Sequence, residues 1–322
     1  MNARIRADMS YSRLSEKVID KITDGGPMLI SIIICTYLNQ RYPDFSEAIN
    51  SLLTQNYKNT EMIVVVDGNR ELYEKISKNK NIDKIILNDR NVGLSESRNR
   101  GMEEANGEVI AFFDDDAVAD GNWLEEIVRM YQEEGAIAVG GKLLPKWVTK
   151  KPKFLPEEYY WLIGATHKGF PEEITEVRNT FGSNISFKAD VIKALNGFRG
   201  EMGVKGKGLL QGEETELCDR MRNEFGKGVI YNPEAVVYHK VFPERLQIKF
   251  LLKRAFWQGY SKRMMEELGY SIDEESDFAR NLIFKSIPKR LKPSSTDLLQ
   301  LVFLGILTMA TAGGYFFRRF KS

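Results

Sequence analysis

Cysteine is nearly absent from this sequence: 322 residues hold two, Cys35 in an apolar run and Cys218 in a charged one. Without paired-cysteine spacing, a disulfide framework and a cysteine-built zinc site are excluded, and a reducing compartment is the simpler expectation. A surplus of charge is missing too. Lys and Arg number 46 against 45 Asp and Glu, leaving +1 at pH 7. A nucleic-acid binder with a broad basic footprint is therefore excluded. Residues 1–27 lack the apolar segment of a secretory signal, because Arg4, Arg6, Asp8, Arg13 and Glu16 interrupt them. Leu14, Val18, Ile19 and Ile22 keep helical spacing there until DGGP ends it, which marks 1–27 as a peripheral N-terminal extension.

From residue 28 onward, strand and helix patterns alternate. MLISIIICTY, TEMIVVVDG, DKIILND and GEVIAFFDDD are buried-strand runs, while SEAINSLLTQ and LSESRNRGMEEA have helical periodicity. Strands separated by helices of this length predict βαβ units, hence an α/β, Rossmann-like fold with a mostly parallel sheet. In such sheets ligands sit beyond the carboxyl ends of the strands. The residues there are Thr36, Tyr37, Asp67, Asn88, Asp89, Arg90 and the triplet Asp114, Asp115 and Asp116. No glycine-rich, basic loop follows the first strand, which argues against a sugar nucleotidyltransferase.

Carboxylates gathered at one sheet edge push one another toward protonation unless a cation joins them. Oxygen ligands suit Mg²⁺ or Mn²⁺, which share phosphate oxygens with a substrate, so a phosphorylated ligand is expected. Asp120, ahead of GNWLEEIVRMY, reads instead as part of a solvated turn or as a helix N-cap.

Seven segments in order, SIIICTY, VVVDG, NDRNVGLSESRNRG, AFFDDD, GSNISFKADVIKALNGF, GEETEL and HKVFPER, resemble the successive motifs of the family 2 glycosyltransferases, which have the GT-A fold. The resemblance covers about residues 28 to 250. WQGYSKRMM and the apolar C-terminus further resemble the archaeal branch that builds lipid-linked glycans, including dolichyl-phosphate-sugar glucuronosyltransferases. It implies an inverting, metal-dependent enzyme. Thr36, Tyr37 and Asp67 would then meet the base and ribose of a nucleotide-sugar donor, commonly a UDP-sugar; Thr36 and Asp67 also read as turn formers. Arg98 would contact the nucleotide or diphosphate, or is an exposed helix arginine. Asp114 and Asp116 form the family's Asp-X-Asp pair, with Asp116 on the metal and Asp114 at the ribose or a metal-bound water. Asp115 has no assigned role. The catalytic base falls at Glu214, where the family usually writes Asp, with Glu213 as its rival. Glu216 and Arg220 have the spacing of a structural helix pair. His239 either completes the metal shell or is a satisfied core imidazole, and His167 has no comparable context.

The glycine-rich stretch with Gly197, Gly200, Gly203, Gly206, Gly208 and Gly212 suits a loop closing over the donor, or a plain connection. Residues 244–265 interleave Lys249, Lys253, Arg254, Lys262 and Arg263 with apolar side chains, which suits either an interfacial helix near a lipid phosphate or a helix packed on the catalytic domain. Residues 298–317 carry no charge and would cross a bilayer, lie in its interface, or form a buried helix. The resulting expectation is a GT-A domain at 28–245 and a helical, membrane-associated region at 246–322. The enzyme would sit on the cytoplasmic face of the cell membrane and transfer sugar to a lipid-linked dolichyl or polyprenyl phosphate acceptor, in glycan assembly or protein N-glycosylation. A soluble or polysaccharide-directed glycosyltransferase and a non-catalytic nucleotide-sugar scaffold are the alternatives.

Overall fold

A computed structural model of the chain describes residues 26–200, 212–267, 269, 278, 280–291 and 294–321. The N-terminal helix expected within 1–25, and Gly203, Gly206 and Gly208, lie outside the described residues. The β-branched run forms β1 (Ile30–Thr36), followed by α1 (Tyr42–Leu53), β2 (Thr60–Asp67), α2 (Arg70–Ile76), β3 (Lys84–Asn88), α3 (Leu94–Glu103) and β4 (Val109–Asp114). Each strand and helix read from the alternation in this half is present. In α1, Phe45, Ala48, Ile49 and Leu52 are buried along one stripe, the pattern that seats an amphipathic helix on a sheet.

The second half adds β5 (Ala117–Ala119), α4 (Trp123–Glu133), β6 (Ala138–Trp147), β7 (Thr175–Val177), β8 (Ile185–Lys188), α5 (Ala189–Ala194), α6 (Glu213–Phe225) and β9 (Val229–Val241). One sheet of order β3-β2-β1-β4-β8-β6-β9-β5 joins them, with β7 also on β9. β1 to β4 are mutually parallel, whereas β8 runs antiparallel to both β4 and β6. Register places Cys35 beside Asp114 and Asp67 beside Asn88, so the carboxyl ends stand level. The chain reverses direction across the sheet between β1 and β4, and that switch point opens the crevice where ligands bind.

Two apolar layers cover the sheet. One holds Phe45, Ile49, Phe113, Trp123 and Leu124; the other holds Phe112, Phe187, Ile192, Leu217 and Met221. Successive residues Phe112 and Phe113 serve opposite layers, as strand alternation requires. They fix the start of the aspartate triplet from both sides.

Asp120 does not cap α4. Asn122 occupies the cap position, and Asp120 uses its carboxylate on Asn122 N (3.3 Å) and its carbonyl on Trp123 N (3.1 Å). Of the two roles open to it, the aspartate takes the turn before the helix.

Beyond β9 come α7 (Ile248–Glu267), a short α8 (Ile287–Arg290) and α9 (Ser295–Lys321). Leu251 and Ala255 of α7 pack with Leu304 and Leu307 of α9 on Tyr159, Leu162 and Ile163 of a 3-10 turn at Glu157–Ile163. Among the described residues, α9 is the one helix long and apolar enough to cross a membrane.

Candidate active site

β4 ends at Asp114, and the chain turns through Asp115 and Asp116 into β5. β5 pairs antiparallel with β9, setting Ala117 against His239. That register brings the imidazole to the triplet: His239 Nε2 is 3.2 Å from Asp116 Oδ1. Asp116 Oδ2 also accepts from Arg41 Nη1 at 2.7 Å and lies 3.5 Å from Arg245 Nη2. Burial alone would raise the Asp116 carboxyl, but His239, Arg245 and Arg41 outweigh it and hold it well below the usual carboxylate range. Asp114 is shifted upward by its recessed position and by Asp116, with Arg98 opposing.

One potential ligand atom from each of Asp114, Asp116 and His239 fits within 4.8 Å of the others. His239 Nδ1 is buried without a hydrogen-bond partner. Gly164, at φ +74°, leaves room for the ring edge, since a side chain there would meet His239 Cε1 at 3.1 Å. Two carboxylates and an imidazole whose ligand atoms gather this closely, with one ring nitrogen of the imidazole left unpartnered, form a donor set suited to a divalent cation, so the residues fit the expected metal.

A second acidic group faces the first through Arg98. This arginine is buried on α3, not exposed to solvent. Its Nη1 donates to Glu214 Oε1 at 2.9 Å and stands 3.6 Å from Glu213 Oε1, while Nη2 is 3.4 Å from Asp114 Oδ1. The guanidinium is thus committed to three carboxylates of the protein. Glu213 and Glu214 open α6, where the helix N-terminus favours negative charge. Ser95 Oγ donates to Glu213 Oε2. Burial and the charge of Glu214 push Glu213 up to about 7. Gly182 sits where any side chain would overlap both Glu214 Oε1 and the Arg98 guanidinium.

At the carboxyl end of β1, Tyr37 is exposed at the rim, and Thr36 Oγ1 donates to Asp115 Oδ2 at 2.5 Å. Asp115 therefore ties the triplet to the end of β1. Asp67 is buried; its Oδ1 accepts from Asn88 Nδ2 and Val92 N, both at 2.9 Å, and its Oδ2 from Gly93 N at 3.0 Å. It builds the 91–93 turn and keeps acceptor capacity on Oδ2. Glu216 and Arg220 form the expected structural pair, with contacts of 2.7 and 2.9 Å.

A cavity of about 2090 Å³ takes in Tyr37, Asp114, Glu214, His239 and Arg254 and continues to Phe316 of α9. Arg41, Ser95 and Gly182 carry no catalytic signature in sequence. Gly182 does lie in the GSNIS motif, whose Asn184 bonds Trp123 Nε1, Lys142 O and Ala235 O. His167, which the sequence leaves without context, stacks edge-on between Phe170 and Phe278.

A family model described as glycosyl transferase family 2 matches residues 31–195. The chain belongs to that family. It is 42% identical over 298 residues to the glucosyl-dolichyl phosphate glucuronosyltransferase of Haloferax volcanii, across 89% of this chain and 95% of the relative. The mannosyltransferase PcManGT of Pyrobaculum calidifontis, solved with GDP-Man and Mn²⁺, superposes with a TM-score of 0.57 at 15% identity, over 96% of this chain and 94% of that one. S. aureus TarS 1–349 with UDP-GlcNAc gives 0.52 at 16% identity, over 88% and 82% of the two chains. Both likenesses are of fold, and that fold is GT-A. The family 2 match and the Haloferax relative make this chain a glycosyltransferase. The family match ends before Glu213, Glu214 and His239, whose place in the site rests on geometry.

Proposed function

We propose that the protein is an inverting, metal-dependent glycosyltransferase that moves a sugar from a UDP-sugar to an acceptor carried on dolichyl or polyprenyl phosphate. It would work at the cytoplasmic face of the cell membrane, in glycan assembly or protein N-glycosylation. One observation carries this reading: a single cavity holds a carboxylate–imidazole set and a glutamate pair, bridged by Arg98, and runs on to the apolar C-terminal helices.

Asp114, Asp116 and His239 would hold Mn²⁺ or Mg²⁺. When bound, the cation supplies neutralisation of the charge that develops on the leaving diphosphate. Thr36, Tyr37 and Asp67 would receive the nucleoside at the rim of the cavity. Arg98 fixes the Glu214 carboxylate at one position, and Glu214 then takes the proton of the attacking hydroxyl as a general base. Its side chain is more open to the cavity than that of Glu213, which favours it over its neighbour. A single displacement with one base inverts the anomeric centre. The acceptor's lipid phosphate would lie near Arg254 and Lys262, both cavity residues of α7, whose cationic groups suit that anion. The name of the Haloferax relative supports the dolichyl phosphate acceptor. Residues 28–245 would form the catalytic domain and 246–322 the membrane-associated region. Free Cys35 and Cys218 accord with the cytoplasmic side.

The test is full-length protein in liposomes, supplied with UDP- and GDP-sugars, Mn²⁺ or Mg²⁺ and polyprenyl phosphate-linked acceptors. Transfer from a UDP-sugar with inverted product is expected. Glu214→Gln should retain donor binding and lose transfer. Absence of transfer across the panel, or full activity in Glu214→Gln, would overturn the assignment.

A further inference from the structure

α9 satisfies the length and composition of a membrane-crossing helix, yet its neighbour forbids that placement. α9 runs parallel to α7 and alongside it. Leu251 and Ala255 share a cluster with Leu304 and Leu307. Farther along, Gly259 abuts the Thr311 carbonyl and Gly314 the Phe256 carbonyl. Both glycines leave no space for a side chain, so the two backbones touch. Near the ends, Arg318 bonds Tyr260 at 2.8 Å and Glu267 at 3.1 Å, and Tyr315 bonds Glu266. The partners advance together along both helices.

α7 is not a helix for hydrocarbon. It carries Lys249, Lys253, Arg254, Lys262, Glu266 and Glu267, besides Arg263. Its 20 residues span roughly 30 Å, the thickness of a bilayer core. Were α9 to cross, α7 would enter with it, at about 2.5–3.5 kcal/mol for each such charge near the centre. The alternative is to break the glycine contacts.

The outer side of α9 offers a different use. Leu298, Val302, Met309 and Phe316 are 63%, 50%, 67% and 49% exposed. At helical periodicity the four fall within an arc of about 40°, forming one apolar line along the helix. Ile283 and Phe284 are also exposed, and Lys285 and Lys289 stand exposed beside them. Phe284, Lys285, Lys289 and Phe316 all line the same large cavity. The cavity mouth therefore lies among the apolar and basic groups that a lipid surface would meet.

We propose that α9 lies in the plane of one leaflet, held by the Leu298–Val302–Met309–Phe316 line and by lysines facing anionic headgroups. The mouth between Phe284 and Phe316 then stands at membrane level, where an acceptor lipid slides in sideways. Only this entry route rests on the lipid-acceptor reading; the in-plane docking does not. An apolar helix line, with exposed lysines on the cavity that its Phe316 also lines, matches the interfacial mode of binding, in which one helix face sinks to the headgroup boundary.

The experiment adds full-length protein bearing a C-terminal epitope to preformed phosphatidylcholine vesicles, with and without phosphatidylglycerol. Co-sedimentation should be stronger with phosphatidylglycerol, and protease should remove the epitope from intact vesicles. A Val302→Lys, Met309→Lys double variant should bind vesicles about tenfold more weakly. Its melting temperature and its transfer to a short-chain, water-soluble acceptor should be unchanged. An epitope protected until detergent is added would overturn the proposal, because it places the C-terminus across the bilayer. Undiminished binding by the double variant, or loss of a dimer in place of vesicle binding, would do the same. Failure of the wild type to transfer any sugar would count against the proposed reaction alone, since sedimentation and epitope cleavage are read without catalysis.

Discussion

Arg98 Nη1 lies 2.9 Å from Glu214 Oε1, and the other arm of the same guanidinium reaches Asp114 at 3.4 Å. A buried cation thereby spans the two acidic groups of the cavity and sets their separation. Replacing it with Met would leave Asp114, Glu213 and Glu214 facing one another without a counter-ion. Breaking a buried ion pair from one side costs about 3–5 kcal/mol, so Arg98→Met should lower the thermal midpoint sharply. Arg98→Lys keeps the charge but has no planar fork to reach both sides. It should fold with a smaller loss, and its kcat should fall by about 100-fold, the scale of a misplaced catalytic group. Thermal melts and initial rates on both variants check this.

Gly182 owes its identity to that same pair. An added methyl group would overlap Glu214 Oε1 and the Arg98 guanidinium. The carboxylate must move, because the obstacle is attached to the backbone. Gly182→Ala should keep donor affinity near wild type and reduce kcat by about 100-fold. Donor titration and steady-state rates separate the two effects, and an unchanged kcat would show that Glu214 has no fixed position to defend.

The sequence made the first four strands legible because each has an apolar run ending in a polar residue. Sheet geometry then collects those ends at one edge, so Thr36, Asp67 and Asp114 are legible from the sequence. Of the partners of Asp116, only His239 is legible as a site residue, and that through the family resemblance; Arg41 and Arg245 are not. Arg41 precedes α1, and His239 and Arg245 follow more than a hundred residues later; β5 pairing with β9 brings His239 in. No local pattern encodes that juxtaposition. Arg98 is legible as a site residue but not as a bridge, because its partners Glu213 and Glu214 come from α6. For Asp120 the sequence leaves turn and cap both open, because Asp ahead of a helical run serves one as readily as the other.

Asp116 is held by His239, Arg41 and Arg245, and with Asp114 it furnishes the carboxylates proposed for the cation. Asp116→Asn removes the charge that a divalent ion requires while keeping the side-chain shape. Mn²⁺ should raise the melting temperature of the wild type, as any ligand selective for the folded state does. The variant should show little or no rise, and chelation should abolish donor binding by the wild type. Calorimetric titration of Mn²⁺ into both proteins measures the difference directly.

Glu213 ties stability to pH. Burial beside Glu214 raises it from 4.5 to about 7 in the folded protein. Between those values the folded state keeps a proton that the unfolded chain releases. Its contribution is therefore most favourable below pH 4.5 and is lost as pH rises through 7. Glu213→Gln retains an oxygen for Ser95 and never ionises. Denaturant unfolding should find the variant close to wild type at about pH 5 and more stable by on the order of 1–2 kcal/mol at about pH 8. Equal stability at the higher pH would mean that Arg98 already neutralises Glu213.

Glu158 and Arg290 make the buried connection between the 157–163 turn and the C-terminal helices. Arg290 donates to both carboxylate oxygens, at 2.8 and 2.7 Å, and also to Ser286 O and Gln300 Oε1. Burial works against the Glu158 charge, but the two-pronged bond outweighs it and holds the carboxyl below the ordinary range. Beside it, Tyr159 bonds Thr308 of α9 at 2.7 Å, so loss of the ion pair should loosen that helix as well. Glu158→Gln leaves an unmatched guanidinium and should cost about 3 kcal/mol, with faster protease cleavage around residues 278–291. A Glu158→Leu, Arg290→Met double variant removes both charges and should recover most of that stability, since apolar side chains of similar size often replace a buried pair at little cost. Urea unfolding of the two singles and the double gives the coupling. A double variant as unstable as the singles together would show that the two residues act independently, and that α8 and α9 are seated by their apolar contacts alone.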